Sequence, residues 1–201
     1  MSNHRALRAV TLAGLLVVAN SAHAFDLTAP WSSMTSRPAA AGRTCRSEVG
    51  FSPEGSAARL VADVLDRARS RVRLAAYTFT SPDVVRRLIA AKRRGVDVAV
   101  IADAKENTGG RGARSGQAAL NLLVEAGIPV RMVSAYAIHH DKYIVADSET
   151  VETGSYNYST AAARRNSENA VVIANCPSLA TAYEAHWQSR WSQGEPYRSS
   201  Y

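Results

Sequence analysis

The spacing of apolar positions along this chain switches repeatedly between a period of two and a period near 3.6, and the switches mark out alternating strands and helices. Residues 48–52 (EVGFS) read as a short strand. Ala57, Leu60, Val61, Val64, Leu65 and Ala68 then fall on one stripe, predicting an amphipathic helix whose opening turn is supplied by Ser52, Pro53 and Glu54. Residues 72–79 (VRLAAYTF) are almost continuously apolar, as expected of a strand covered on both faces. Ser81, Pro82 and Asp83 start a second helix, residues 84–94 form its body and Gly95 ends it. A third strand spans residues 96–103, and a helix over 115–126 stops at Gly127. Residues 129–133, 138–147, 150–156 and 168–175 read as strands, and 179–191 as a closing amphipathic helix. This order predicts an α/β fold, a mixed β-sheet flanked by helices on both faces, with no internal repeat.

The two ends depart from the pattern. Residues 1–24 carry two arginines, a short apolar run and then Ala22-His23-Ala24, a small-x-small cleavage pattern, so they read as a signal peptide. The apolar run is about a dozen residues, where a membrane span needs roughly 20. Residues 25–44, rich in Pro, Ser, Gly and Ala, read as a poorly ordered lead-in. The domain is expected over 45–192, with 193–201 as a C-terminal tail. Removing residues 1–24 takes away two arginines and no acidic residue, leaving 22 basic against 17 acidic side chains and a net charge of +5. A basic exported domain suits a polyanionic partner, and equally a protein kept soluble by its charge. Export leaves periplasm and medium as destinations, with no stable membrane association after cleavage.

An oxidising compartment makes a bridge between the two cysteines, Cys45 and Cys176, an expectation. The connection 104–114 (AKENTGGRGAR) is rich in glycine and cations and follows an apolar strand, a position where open sheets form sites. Arg111 and Arg114 are its candidate phosphate contacts. The arginines of RRLIAAKRRG, by contrast, read as a solvated helix face.

Once the signal peptide is removed three histidines are left: His139, His140 and His186. His186, among aromatics on a helix, reads as a packing residue. In a strand, side chains two apart share a face, so His140 and Lys142 point one way, His139 and Asp141 the other. An ammonium beside an imidazole suits phosphate chemistry: it neutralises phosphoryl oxygens while the neutral ring attacks phosphorus. Asp147 ends the same predicted strand. Ser155 and Asn157 carry donors suited to phosphate oxygens, Glu168 can accept from a ring N–H, and Gly154 would let backbone approach a ligand.

His140-x-Lys142-(x)4-Asp147, followed by Gly154-Ser155-x-Asn157 and Glu168-Asn169, resembles the signature of the phospholipase D superfamily. Within it the chain most resembles the small, exported, metal-independent bacterial endonucleases of the Nuc type, from residue 47 to about 192. The resemblance implies cleavage of DNA, with RNA as a second substrate class, little sequence preference, and neither metal nor cofactor. Its catalytic set would be His140, Lys142, Asp147 and Glu168, with Lys142, Ser155 and Asn157 on the phosphate and Asp147 and Ser155 in supporting roles.

Hydrolysis through a phosphohistidine needs one ring to attack and a second, protonated, to release the leaving oxygen. One chain offers one motif, and His139 faces away from Lys142, so a homodimer with a shared cleft is expected, as the resemblance also implies. Two rival readings are a phospholipase D-type phosphodiesterase acting on lipid, and a catalytically silent nucleic-acid-binding protein.

Overall fold

The computed structural model describes residues 44–109 and 113–199. The expected signal peptide, all of the lead-in but Thr44, and Arg111 lie outside the described residues. In chain order the elements are β1 (Arg46–Ser52), α1 (Ser56–Arg67), β2 (Arg71–Ala76), α2 (Pro82–Arg93), β3 (Asp97–Asp103), α3 (Ala104–Thr108), α4 (Ala113–Glu125), β4 (Val130–Val133), β5 (Tyr143–Ala146), β6 (Thr150–Gly154), α5 (Thr160–Arg164), β7 (Glu168–Ala174), α6 (Pro177–Gln193) and β8 (Glu195–Pro196). The strands form one sheet in the order β1-β7-β6-β5-β2-β3-β4-β8. β2, β3 and β4 pair in parallel and every other pairing is antiparallel, so the sheet is mixed.

Strand alternation distributes the core. Val72, Leu74 and Ala76 of β2, with Val98, Val100 and Ala102 of β3, face the cluster that α1, α2 and α4 complete through Val61, Leu65, Leu88 and Leu120. Ala75, Ala99, Ile101, Tyr143, Val145 and Val151 point to the other face, where Ala180 and Trp187 of α6 cover them. Trp187 also donates its indole N–H to the Leu74 carbonyl at 3.0 Å. Helices therefore flank both faces, as the apolar periods predicted. A disulfide joins Cys45, just ahead of β1, to Cys176 at the start of α6, with Cα atoms 4.8 Å apart. It closes a loop of 131 residues, which in the loop-closure account removes on the order of 5 kcal/mol of unfolded-state entropy.

Three local differences from the sequence reading have physical reasons. The strand expected over 138–147 keeps ladder bonds only over Tyr143–Ala146, so His139 to Lys142 are loop. The loop expected over 104–114 contains α3, because Asp103 caps it by accepting from the Glu106 N–H at 2.7 Å. The expected tail beyond residue 192 instead extends α6 to Gln193 and adds β8, and Tyr197 donates its N–H to the Val130 carbonyl at 2.9 Å while packing on the core.

A carboxyl group is among the polar side chains buried in the core. Glu152 of β6 shares a face with its cross-strand partners Ile144 and Val172 and is 1% exposed, with Tyr158 donating a hydrogen bond to it at 2.9 Å. Burial pushes its carboxyl from an ordinary 4.5 up to about 8, partly offset by that hydrogen bond. The folded chain then holds this proton more tightly than the unfolded chain, so the associated stability is complete below about pH 4.5 and is lost as pH rises towards 8. Glu152→Gln should therefore gain in Tm relative to the wild type as pH is raised from 5 to 8.5. Parallel Tm profiles for the two proteins would contradict this.

Candidate active site

The registers bring several strand ends together. Ala75 pairs with Tyr143, Tyr143 with Thr153, and Gly154 with Ala170, so the C-terminal ends of β2 and β6 meet the N-terminal ends of β5 and β7. At this edge stand Tyr77 after β2, His140 and Lys142 before β5, Ser155 and Asn157 after β6, and Glu168 opening β7.

His140 is exposed, and its ring centroid lies 4.6 Å from that of Tyr77. Lys142 is 8% exposed and its Nζ sits 5.3 Å over the same ring, so both side chains meet on Tyr77. Among the described residues the ammonium donates one hydrogen bond, to the His140 carbonyl at 2.8 Å, of the three it can make. Burial pulls the Lys142 pKa below the ordinary lysine value, while the Glu168 and Asp141 carboxylates push it back up. A cation this poorly hydrated attracts phosphate oxygens more strongly than a solvated one.

Asn157 engages no other described residue through its side-chain amide, whose Oδ1 is buried. Ser155 is committed differently from the sequence reading: its hydroxyl donates to Glu168 Oε2 at 2.6 Å and accepts from the Asn169 N–H at 3.1 Å. The other Glu168 oxygen accepts from Asn166 Nδ2 at 2.9 Å. Among the described residues, no ring N–H reaches Glu168. Gly154 is required by the neighbouring strand, since a Cβ there would lie 2.2 Å from the Asn169 carbonyl oxygen.

Asp147 is not part of this cluster. It lies at the opposite end of β5, where its carboxylate accepts from the backbone N–H groups of Arg69, Ser70 and Arg71 and from the Ser70 hydroxyl at 2.8–3.2 Å. Burial opposes ionisation, but these hydrogen bonds outweigh it and hold the carboxyl below the usual aspartate range. Its sequence spacing from Lys142 reflects the length of β5 rather than proximity. Arg114 is exposed at the start of α4, with no ion pair or hydrogen bond to its side chain among the described residues.

Sequence reasoning missed Tyr77 and the shell that fixes it. Asn107 is 1% exposed, donates to the carbonyls of Tyr77 and Asp103, and accepts from the Phe79 N–H at 2.8 Å. Thr78 donates to Glu106 at 2.9 Å. Burial and the nearby Glu106 charge raise the Tyr77 pKa, keeping the phenol neutral beneath Lys142. The available signal was its place just past the end of an apolar strand. A cleft of about 450 Å3 continues from His140 and Lys142 past Thr153 and Gly154 to Tyr183 and His186 of α6.

Known proteins share this fold and part of this sequence. A family model described as "Cardiolipin synthase, PLD-like domain" covers residues 61–191. A phospholipase D of Rickettsia bellii is 34% identical over 140 residues, 70% of this chain and 66% of the relative. A mitochondrial cardiolipin hydrolase of Xenopus laevis is 32% identical over 138 residues, 69% of this chain and 62% of the relative. The chain thus spans slightly under two thirds of the length of these curated relatives. The crystal structure of Nuc from Salmonella typhimurium, a phospholipase D family member, superposes with a TM-score of 0.74 at 50% identity, covering 78% of this chain and 100% of that one. NucT from Helicobacter pylori, at 18% identity and a TM-score of 0.63, shares the fold.

Because Asp147 fastens a turn rather than a substrate, Asp147→Ala should cost about 2–4 kcal/mol in urea unfolding. Turnover per folded molecule should stay within about twofold. Lost turnover at unchanged stability would place Asp147 in the chemistry instead.

Proposed function

The chain belongs to the phospholipase D family, and from that premise we propose that it is a metal-independent endonuclease hydrolysing phosphodiester bonds of DNA, with RNA as a second substrate class. The observation that carries the reading is one exposed imidazole, His140, beside a nearly buried ammonium, Lys142, that makes one of its three possible hydrogen bonds among the described residues. In the forward step the neutral His140 ring attacks phosphorus and a P–N bond forms as the P–O bond to the leaving nucleoside breaks. A second, protonated imidazole gives its proton to that oxygen. The same ring, now neutral, takes a proton from water as the water attacks phosphorus, and the P–N bond breaks to return both rings to their first states. Lys142 and Asn157 hold the non-bridging oxygens. Ser155 keeps Glu168 in place, and Glu168 keeps lone pairs for an imidazole arriving from outside its own chain.

That second ring comes from a second copy. His139 is 2% exposed and lies near Asp141, on the side away from Tyr77, so it cannot serve. Two copies pairing about a two-fold axis would present two His140 rings to one phosphate. The nucleic-acid reading draws on the resemblance to Nuc-type endonucleases, on the positive charge, and on the exposed Arg114, with weak base discrimination expected from backbone contacts alone. We assign the mature protein to the periplasm or the medium. No helix among the described residues is long and apolar enough to cross a membrane.

The names of the curated relatives favour a second reading, a phosphodiesterase acting on lipid. Purified protein in excess EDTA, given supercoiled plasmid and phosphatidylcholine vesicles side by side, decides between them. The plasmid should be cut, the vesicles left intact, and His140→Ala should lower cleavage by about 10^3-fold or more. Release of choline without nicking would establish the lipid reading. Binding without nicking would make the protein a silent module.

A further inference from the structure

We propose that His186, on α6, is a positioning residue for the reacting loop, holding His140 and Lys142 against Tyr77 through a hydrogen bond to Asp141. This inference rests on the phosphodiesterase reading above. Residues 139–142 lie outside the ladder, which begins at Tyr143, so strand pairing does not set their conformation. Three contacts do. The His139 N–H donates to Asp103 Oδ2 at 2.7 Å, Lys142 Nζ donates to the His140 carbonyl at 2.8 Å, and His186 Nε2 lies 2.9 Å from Asp141 Oδ2. A carboxylate only accepts, so Nε2 carries the hydrogen in that last contact. The third contact is the one that comes from the opposite layer of the fold.

Alternation explains the arrangement. Odd-numbered residues of the loop share one face, with His139 buried and its Nδ1 3.5 Å from the same Asp141 oxygen, while His140 and Lys142 turn to Tyr77. Anchoring Asp141 therefore fixes both neighbours. The anchor is itself rigid, since Trp187, the next residue, is 2% exposed and bonded to the Leu74 carbonyl, and Tyr183, one turn earlier, packs edge-on against Tyr143 at 4.9 Å. His186 is thus more than the packing residue that the sequence suggested.

Kinetics on a soluble chromogenic diester, bis(p-nitrophenyl) phosphate, test this separately from the choice of natural substrate. His186→Ala should lower kcat about tenfold or more with KM within about twofold, because the loop still binds but is misplaced. His186→Gln, whose Nε2 can also donate to Asp141, should recover to within about threefold of the wild type. Asp141→Ala should lose as much as His186→Ala, and the double variant no more than either. Hydrogen exchange should accelerate across residues 138–142 in His186→Ala and be restored in His186→Gln, a readout that needs no turnover. Wild-type kcat and exchange in His186→Ala would overturn the proposal. So would equal losses in the Ala and Gln variants, which would make His186 a proton donor in its own right, or losses that multiply in the double variant. A wild type that turns over the diester yet leaves plasmid intact would refute the nuclease reading and leave this one standing.

Discussion

The register of β5, antiparallel between β2 and β6, is the constraint on which the rest of the structure depends. Side chains in a strand repeat every second residue, so a slip by one position would turn His140 and Lys142 away from Tyr77 and drive the inward-facing pair outwards. The register is pinned at both ends of a strand only four residues long. At one end Asp147 gathers the N–H groups at the turn into β2, and its own N–H donates to the Arg71 carbonyl at 3.0 Å. At the other, Asp103 takes the His139 N–H. The chemistry sits at one edge because a structural carboxylate holds the opposite one.

Charge follows the same division. Arg71 and Arg73, at the edge away from the site, share Asp97, and Arg71 also pairs with Glu184. On the helices, Arg59 and Arg67 pair with Asp63, and Arg86 and Arg87 with Asp83. At the site edge Lys105, Arg114, Arg164 and Arg165 are exposed, with no side-chain ion pair or hydrogen bond among the described residues. These four cations stand at the edge that carries Lys142 and His140, while other exposed arginines without an ion pair among the described residues, Arg46, Arg69 and Arg93, lie away from it.

Much of this was legible in the sequence, and the omissions are instructive. Apolar periodicity located nearly all the elements, because burial on two faces writes itself as near-continuous apolar strands and one-sided helical stripes. Alternation also gave the facing of His140 and Lys142 correctly although they lie outside the strand, since extended backbone keeps the same two-residue period without ladder bonds. Asp147 was misassigned because spacing along a strand cannot tell two opposite ends from one site. Ser155 was given a phosphate-facing role and Glu168 an imidazole-orienting one, yet between the end of β6 and the start of β7 they satisfy one another first. Tyr77 and Asn107 were missed because their place at the site arises from strand order, which leaves no local signal, and His186 was read as packing alone because the layer on which α6 lies cannot be told from its own sequence.

The central claim is that His140 becomes covalently phosphorylated during turnover. Rapid quenching of wild-type protein with a labelled oligonucleotide, followed by mass spectrometry under alkaline conditions, tests it most directly. The account predicts a phosphoryl-linked nucleotide on the imidazole of His140, formed and lost at rates matching turnover and absent from His140→Asn. Full catalytic turnover with no adduct on that ring at any quench time would contradict it.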